Sequence, residues 1–259
     1  MNQKKKNEWY YFFKFLFGVD LYPYQMDMVR AILQEKKKRV IILAATRAGK
    51  SYAISMIAIV YALLNPDKRI FIIAPTYKQA SIIMEYIYSF ITKSDYVLSQ
   101  TILTISKRDL KLAKRMTFDT VTFKNNSTIR ILSAEGKGER LFGFGGHFII
   151  VDESALIDDD VFNTKILRML GEDPDAQLIE IGNPVTINHF YEHYESPEFY
   201  KIKITYKDCI EVGRLTPEFI EEQRKYLSIT QFKQLYEAEF VQEELQYFPM
   251  DLVYSAIEE

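Results

Sequence analysis

A single cysteine, Cys209, in a chain of 259 residues excludes an internal disulfide framework and fits a reducing cytosol. Histidine is scarce as well. His189 and His193 are spaced to share one helix face, but no nearby cysteine and no H-E-x-x-H pattern accompanies them, so no metal is expected there. Neither sign of charge dominates. The formal net charge of -2 means no global basic field, so any nucleic-acid contact must come from local patches. Long apolar runs are also missing. The stretch WYYFFKFLFGV after the lysines at 4–6 is interrupted by Lys14, dominated by aromatics and followed by no small-residue cleavage site. It reads as a helix that packs its aromatic face on the main domain, and nothing downstream is long enough to cross a membrane. No internal repeat or low-complexity linker is present.

The 48% hydrophobic content suffices for one sizeable α/β core, or one domain with a small appendage. Two segments carry chemistry. The first, AATRAGKS from Ala44 to Ser51, lies between an apolar run, Val40 to Leu43, and a helix-like stretch, Tyr52 to Leu64. A strand turning into a helix there points backbone N–H groups at an anion. Ala45, Thr46, Arg47, Ala48, Gly49 and Tyr52 would line the phosphate site. Lys50 would reach the β and γ phosphates, and the Ser51 hydroxyl would hold Mg²⁺. Gly49 lets the backbone approach closely. Ala44 replaces the first glycine of the usual G-x-x-x-x-G-K-[ST] pattern.

The second segment is FIIVDES, from Phe148 to Ser154. Its four apolar residues predict a buried parallel strand, with two carboxylates at the C-terminal end, where open α/β sheets bind ligands. Asp152 would hold the metal's hydration shell, and Glu153 would orient or deprotonate the attacking water. Together the two segments point to nucleoside triphosphate hydrolysis.

The remaining pattern alternates strand and helix. Strands are expected at Arg69 to Ala74, Ala176 to Ile181 and Tyr200 to Ile204, with a helix from Lys78 to Thr92. Met116 to Phe123 and Thr128 to Leu132, joined by KNNS, read as an inserted β-hairpin. From Pro217 onward two polar helical stretches follow. The expected fold is α/β, a mainly parallel sheet flanked by helices. Residues 1–210 would form the core and 211–259 a helical subdomain or linker.

Several smaller features refine the chemistry. In Pro23-Tyr24-Gln25 the glutamine amide can pair with an adenine edge and the tyrosine can stack on the base, although PYQ is also an ordinary helix start. APT-x-x-Q, Ala74 to Gln79, is either a plain strand-to-helix turn or a contact to a nucleic-acid backbone. Arg140 sits in GKGERLFGFGG, whose glycines predict a mobile loop. It is either a solvated arginine or one delivered to a γ-phosphate in its own or a neighbouring subunit. In IGNP, Asn183 would stand beside the hydrolysis site and sense the γ-phosphate; Asn-Pro is also a simple turn. The basic stretch Lys107 to Arg115 is either a DNA-facing surface or a solvated helix face.

The order PYQ, A-x-x-R-x-G-K-S, APT-x-x-Q, F-x-N-x-S-x-I, the glycine loop with Arg140, FIIVDES, and GNP followed by HFYE resembles the ATPase domain of the large terminase subunit of tailed bacteriophages. The resemblance spans roughly residues 20 to 245. It implies a P-loop fold of the ASCE type, related to superfamily 2 helicases, and an ATP- and Mg²⁺-dependent motor that moves double-stranded DNA into procapsids in the host cytoplasm. By the same resemblance, Gln25 and Tyr24 contact adenine, Arg47, Lys50 and Ser51 bind phosphates and metal, and Asp152 and Glu153 are the metal-binding and catalytic acids. Asn183 lies in the coupling motif, and Arg140 is the arginine finger, with Arg47 able to share that role. Implied partners are double-stranded DNA, further copies of the chain in a ring, the portal protein and the small terminase subunit, with no membrane. The family usually adds a C-terminal nuclease domain, for which no room is expected here, so no cleavage activity is predicted. Two other classes are a superfamily 2 helicase-like translocase, which would need a second lobe, and a non-enzymatic nucleotide-binding module, against which Glu153 argues.

Overall fold

The computed structural model describes residues 3–101 and 119–241, with side chains from residue 8 onward. The expected basic surface at 107–115, the first residues of the hairpin at 116–118 and the segment after 241 lie outside the described residues. Among the described residues seven strands form: β1 (Arg39–Ala44), β2 (Arg69–Ala74), β3 (Thr120–Thr122), β4 (Thr128–Ser133), β5 (Phe148–Asp152), β6 (Gln177–Gly182) and β7 (Tyr200–Ile204). Their order in the sheet is β3-β4-β2-β5-β6-β1-β7. Only β3 runs antiparallel to its neighbour; every other pairing is parallel. The near-continuous apolar sequences of β1, β2, β5 and β6 follow from this, because a parallel strand inside such a sheet is covered on both faces.

Alternate residues of β1 point to opposite cores. Val40, Ile42 and Ala44 join one buried cluster, and Ile41 and Leu43 the other. The first cluster is roofed by α1 (Gln3–Phe17), α2 (Pro23–Val29), α3 (Lys50–Leu64) and α4 (Tyr77–Lys93). Helix α3 is buried without interruption from Ala53 to Ala62, which explains its nearly unbroken apolar sequence. Helix α4 is one-sided: Ala80, Ile83, Met84, Ile87, Phe90 and Ile91 are buried at helical spacing. The aromatic N-terminus is the expected packed helix, with Phe13 and Leu16 buried and Phe17 against Phe90 at 5.2 Å.

The hairpin turns at Asn126, whose φ of 66° is the left-handed conformation that asparagine tolerates. Asn125 and Ser127 both donate to the carbonyl of Ala62 at the end of α3 (2.8 Å each). The hairpin thereby extends the sheet, since β4 pairs in parallel with β2 along its whole length. Helix α5 (His189–Glu195) precedes β7, and α6 (Tyr206–Glu211), α7 (Pro217–Tyr226) and the turns Ile229–Phe232 and Lys233–Glu237 follow it. Cys209, Leu215, Ile220, Phe232 and Tyr236 belong to the same buried cluster as Val40 and Ile42. The described helices of the stretch expected as a helical subdomain or linker thus contribute side chains to the main core.

One feature of the strand order positions the site. Strand β6 lies between β1 and β5, so the ends of the phosphate-loop strand and the acid-bearing strand are two strand spacings apart, roughly 10 Å. Groups from both can converge over the end of β6, where Asn183 stands.

Candidate functional site

The loop after β1 is pinned from three sides. Ala45 N donates to the carbonyl of Ile204 at the end of β7, and Thr46 N to the carbonyl of Leu235 (2.7 Å each). From α2, the Tyr24 hydroxyl donates to Ala48 O (3.0 Å) and Gln25 Nε2 lies 3.5 Å from Gly49 O. Gly49 has φ 79°, and a Cβ there would come within 3.3 Å of Gln25 Nε2, so both conformation and space call for glycine. Arg47 also adopts a left-handed backbone (φ 64°). Its carbonyl accepts from Arg214 Nε (3.1 Å), and its exposed guanidinium lies over the Phe219 ring at 5.4 Å.

Lys50, at the first turn of α3, is shared between Glu153 and Asn183. Its Nζ is 2.6 Å from Glu153 Oε1 and donates to Asn183 Oδ1 at 3.1 Å. Asn183 in turn donates to Ala44 O (2.8 Å) and Leu235 O (3.3 Å), so one amide joins Lys50, the strand end and the C-terminal helical turn. Ser51 Oγ is 3.4 Å from Asp152 Oδ2, while Asp152 Oδ1 is buried with no hydrogen-bond partner among the described residues. Burial, and then the neighbouring charge of Glu153, push the Asp152 carboxyl up to about 7; Lys50 and the Ser51 hydroxyl act in the opposite direction. Glu153 itself has φ 51°, a conformation rare outside glycine and asparagine.

A buried carboxylate oxygen lacking a partner, beside a hydroxyl at the start of a helix, suits a hard divalent cation with oxygen ligands. A lysine and two carboxylates at the edge where parallel strands end suit a phosphorylated ligand. Comparison with known proteins agrees. A family model described as terminase large subunit, T4likevirus-type, N-terminal, matches residues 41–253.

The chain belongs to the terminase large-subunit family.

It is similar to the terminase large subunits of Escherichia phage T5, 28% identical over 224 residues, and of Thermus phage G20c, 27% identical over 234. These alignments cover 83% and 82% of this chain but 47% of each relative, so the chain spans about half the length of the relatives it matches. Among solved structures, the large terminase ATPase domain of Thermus phage P74-26 superimposes with a TM-score of 0.70 at 25% identity, covering 87% of this chain and 96% of that one. The fold is thus that of the large terminase ATPase domains, with the additional strand β6 that marks the ASCE arrangement.

Against that terminase fold, the structure brings together Lys50, Ser51, Asp152, Glu153 and Asn183, and places Gln25 beneath Gly49. Tyr24 is placed differently from the expected base-stacking role. Its ring is buried beside Tyr22 (5.6 Å) and its hydroxyl holds the loop backbone, so it supports the phosphate site from below. Tyr52 packs edge-on against Phe90 (4.9 Å) and Tyr86 (5.5 Å) of α4. Thr76 and Gln79 are occupied with each other: Thr76 Oγ1 accepts from Gln79 N, and Gln79 Oε1 accepts from Thr76 N, the reciprocal cap of a helix start. The plain strand-to-helix turn therefore accounts for both side chains.

Arg140 is exposed in the turn Glu139–Leu141 after β4 and forms no hydrogen bond or ion pair among the described residues. Strands β2, β5 and β6 separate β4 from β1, so that loop leaves the sheet roughly 19 Å sideways from its own phosphate loop. The glycines around it are not simply sources of mobility. A Cβ at Gly138 would lie 2.8 Å from Val161 and one at Gly146 2.7 Å from Phe71, so these two positions fasten the loop by close packing. Sequence reasoning missed Arg214, Phe219 and the Leu235 carbonyl, which meet the phosphate loop from far along the chain with no motif to mark them.

Among the described residues, no helix is long and apolar enough to cross a membrane, and no group of three or more His, Cys, Asp or Glu is arranged to hold a metal. His189 and His193 are instead built into the interior behind Glu153.

Proposed function

We propose that this chain is the ATP-hydrolysing motor domain of a phage large terminase and drives double-stranded DNA into procapsids in the host cytoplasm. The observation that carries the reading is the convergence of Lys50, Glu153 and Asn183 over the end of β6, beside the buried, half-partnered Asp152. A superfamily 2 helicase is not favoured, because the family match runs over most of the chain.

In this mechanism the backbone N–H groups from Ala45 to Gly49 and the N-terminus of α3 receive the phosphates. Lys50 exchanges Glu153 for the β and γ phosphates. Its departure leaves Glu153 an unpaired carboxylate, able to accept a proton from water aimed at the γ-phosphorus. Asp152 and Ser51 would hold Mg²⁺, which when bound neutralises charge on the phosphate oxygens. Asn183 loses its lysine partner at the same moment while keeping Leu235, so nucleotide occupancy reaches the C-terminal helices through one side chain. Gln25 reads the adenine edge, and Arg140 completes the site of a neighbouring subunit, consistent with its exposure and its distance from its own loop. Residues 211–259 serve as the subdomain that carries the motion onward. Portal protein and small terminase subunit are the assembly partners this role requires.

The test is steady-state ATP hydrolysis with and without duplex DNA, alongside binding of a slowly hydrolysed ATP analogue. Glu153→Gln should lower turnover at least about a hundredfold with analogue binding retained. Lys50→Ala should lose both. Wild-type turnover in Glu153→Gln would overturn the assignment.

A further inference from the structure

Behind Glu153 lies a buried polar cluster that no step above uses. Ser154 is fully buried, and its Oγ donates to Glu180 Oε2 at 2.8 Å and lies 3.1 Å from His189 Nε2. Glu180, on β6 and 0% exposed, accepts from His193 Nδ1 through its other oxygen (2.6 Å). His189 Nδ1 and the His189 backbone N–H both reach Asp159 Oδ1, at 2.7 and 2.9 Å. Asn188 Nδ2 donates to the carbonyls of Ala155 and Ile157. Apolar rings wall the cluster in, Phe162 stacking on His189 at 3.9 Å and Phe199 on His193 at 4.5 Å.

We propose that Ser154, Glu180, His189 and His193 are positioning residues that lock the backbone turn of Glu153 and tie it to the segment following Asn183. The argument rests on the catalytic reading of Glu153 given above. A non-glycine residue at φ 51° persists only where its surroundings over-determine it. Two independent contacts do so here. On one side the end of β6 closes in: a Cβ at Gly182 would lie 3.3 Å from Glu153 Cα and 3.4 Å from Ser154 N. On the other, the Ser154 hydroxyl fixes the residue next to the turn to Glu180, two positions before Gly182 on the same strand. Helix α5 is stitched by its first residues to the stretch from Ser154 to Asp159. The catalytic carboxylate, β6 and α5 therefore move as one body, and α5 begins only a few residues after Asn183. Among its buried members, Ser154, Glu180 and His189, loosening one strands another buried polar group.

Hydrolysis kinetics and affinity for the slowly hydrolysed analogue ATPγS would be measured on the full chain for Ser154→Ala, Glu180→Gln, the double variant and Glu153→Gln, each with a thermal midpoint. A lock predicts that Ser154→Ala lowers kcat by about tenfold to a hundredfold, with KM and ATPγS affinity unchanged within about twofold, because the acid is misplaced while the phosphate loop is untouched. The double variant should be no slower than the slower single one, since both break the same link. Wild-type kcat in Ser154→Ala, with Glu153→Gln inactive, overturns the lock and leaves the ATPase reading standing. Parallel loss of kcat and ATPγS affinity, or additive effects in the double variant, also overturns it, because a general loss of structure would act that way. An active Glu153→Gln removes both readings.

Discussion

At the level of single residues, the candidate site carries both a buried carboxyl and strained backbone. Asp152 is 4% exposed with one oxygen unpaired, and Glu153 and Arg47 both hold left-handed backbones that their side chains disfavour. A carboxyl whose folded pKa lies above its unfolded value gives up stability as pH rises from the unfolded value through the folded one, here about 7. Asp152→Asn removes that charge. Without nucleotide or magnesium, the variant should melt above wild type at pH 8 by the equivalent of ~1 kcal/mol, with the gap closing as pH falls toward 5. Calorimetry across that range checks it, and a variant less stable than wild type at pH 8 would show that Asp152 is adequately paired. The same variant should not hydrolyse ATP. As candidates these residues stand out in the sequence because their types suit the proposed chemistry: a lysine for phosphate, a hydroxyl and carboxylate for a cation, a second carboxylate for water.

At the level of elements, most boundaries follow from periodicity and capping. The strands β2 and β7 were expected at their observed residues, and α4 was expected from Lys78 and begins at Tyr77. Its cap illustrates how a motif can be explained twice. Thr76 and Gln79 satisfy each other's backbone, a role worth about 1 kcal/mol in comparable helices. Thr76→Ala should therefore lower stability by about that amount, and leave DNA stimulation of ATP hydrolysis unchanged. A loss of stimulation at full stability would restore the nucleic-acid reading for this turn. The glycine loop shows the converse. Its composition predicts mobility, yet Gly138 and Gly146 are there because Val161 and Phe71 leave no room for a side chain. Such crowding comes from other elements and cannot be seen in a local stretch.

At the level of the whole molecule, strand order and the C-terminal helices decide how the parts communicate. Arg140 leaves the sheet four strand spacings away from β1, exposed and unpaired among the described residues. If it serves a neighbouring subunit, turnover should rise more steeply than linearly with protein concentration. Arg140→Ala and Glu153→Gln, each inactive alone, should recover measurable activity when mixed, since a ring then contains interfaces with one intact arginine and one intact acid. Mixtures as inactive as their parts, with a linear concentration dependence in wild type, would move the role to Arg47 within the same subunit.

Local order along the chain, apolar run to phosphate loop to helix and apolar run to paired acids, was enough to establish the α/β class and the family and to nominate the candidate site residues. Those patterns are contiguous, and each is enforced by a requirement acting over one turn or one strand. Folding alone settled the rest. It put β6 between β1 and β5, so that Asn183 holds Lys50; set the Tyr24 hydroxyl against the Ala48 carbonyl of the loop; and packed residues beyond 210 onto the phosphate loop through Leu235, Arg214 and Phe219. It also enclosed Glu180, His189 and His193 behind Glu153. These contacts join residues from different elements, most of them far apart along the chain, and no local rule of spacing links them, because what brings them together is the order in which strands enter the sheet.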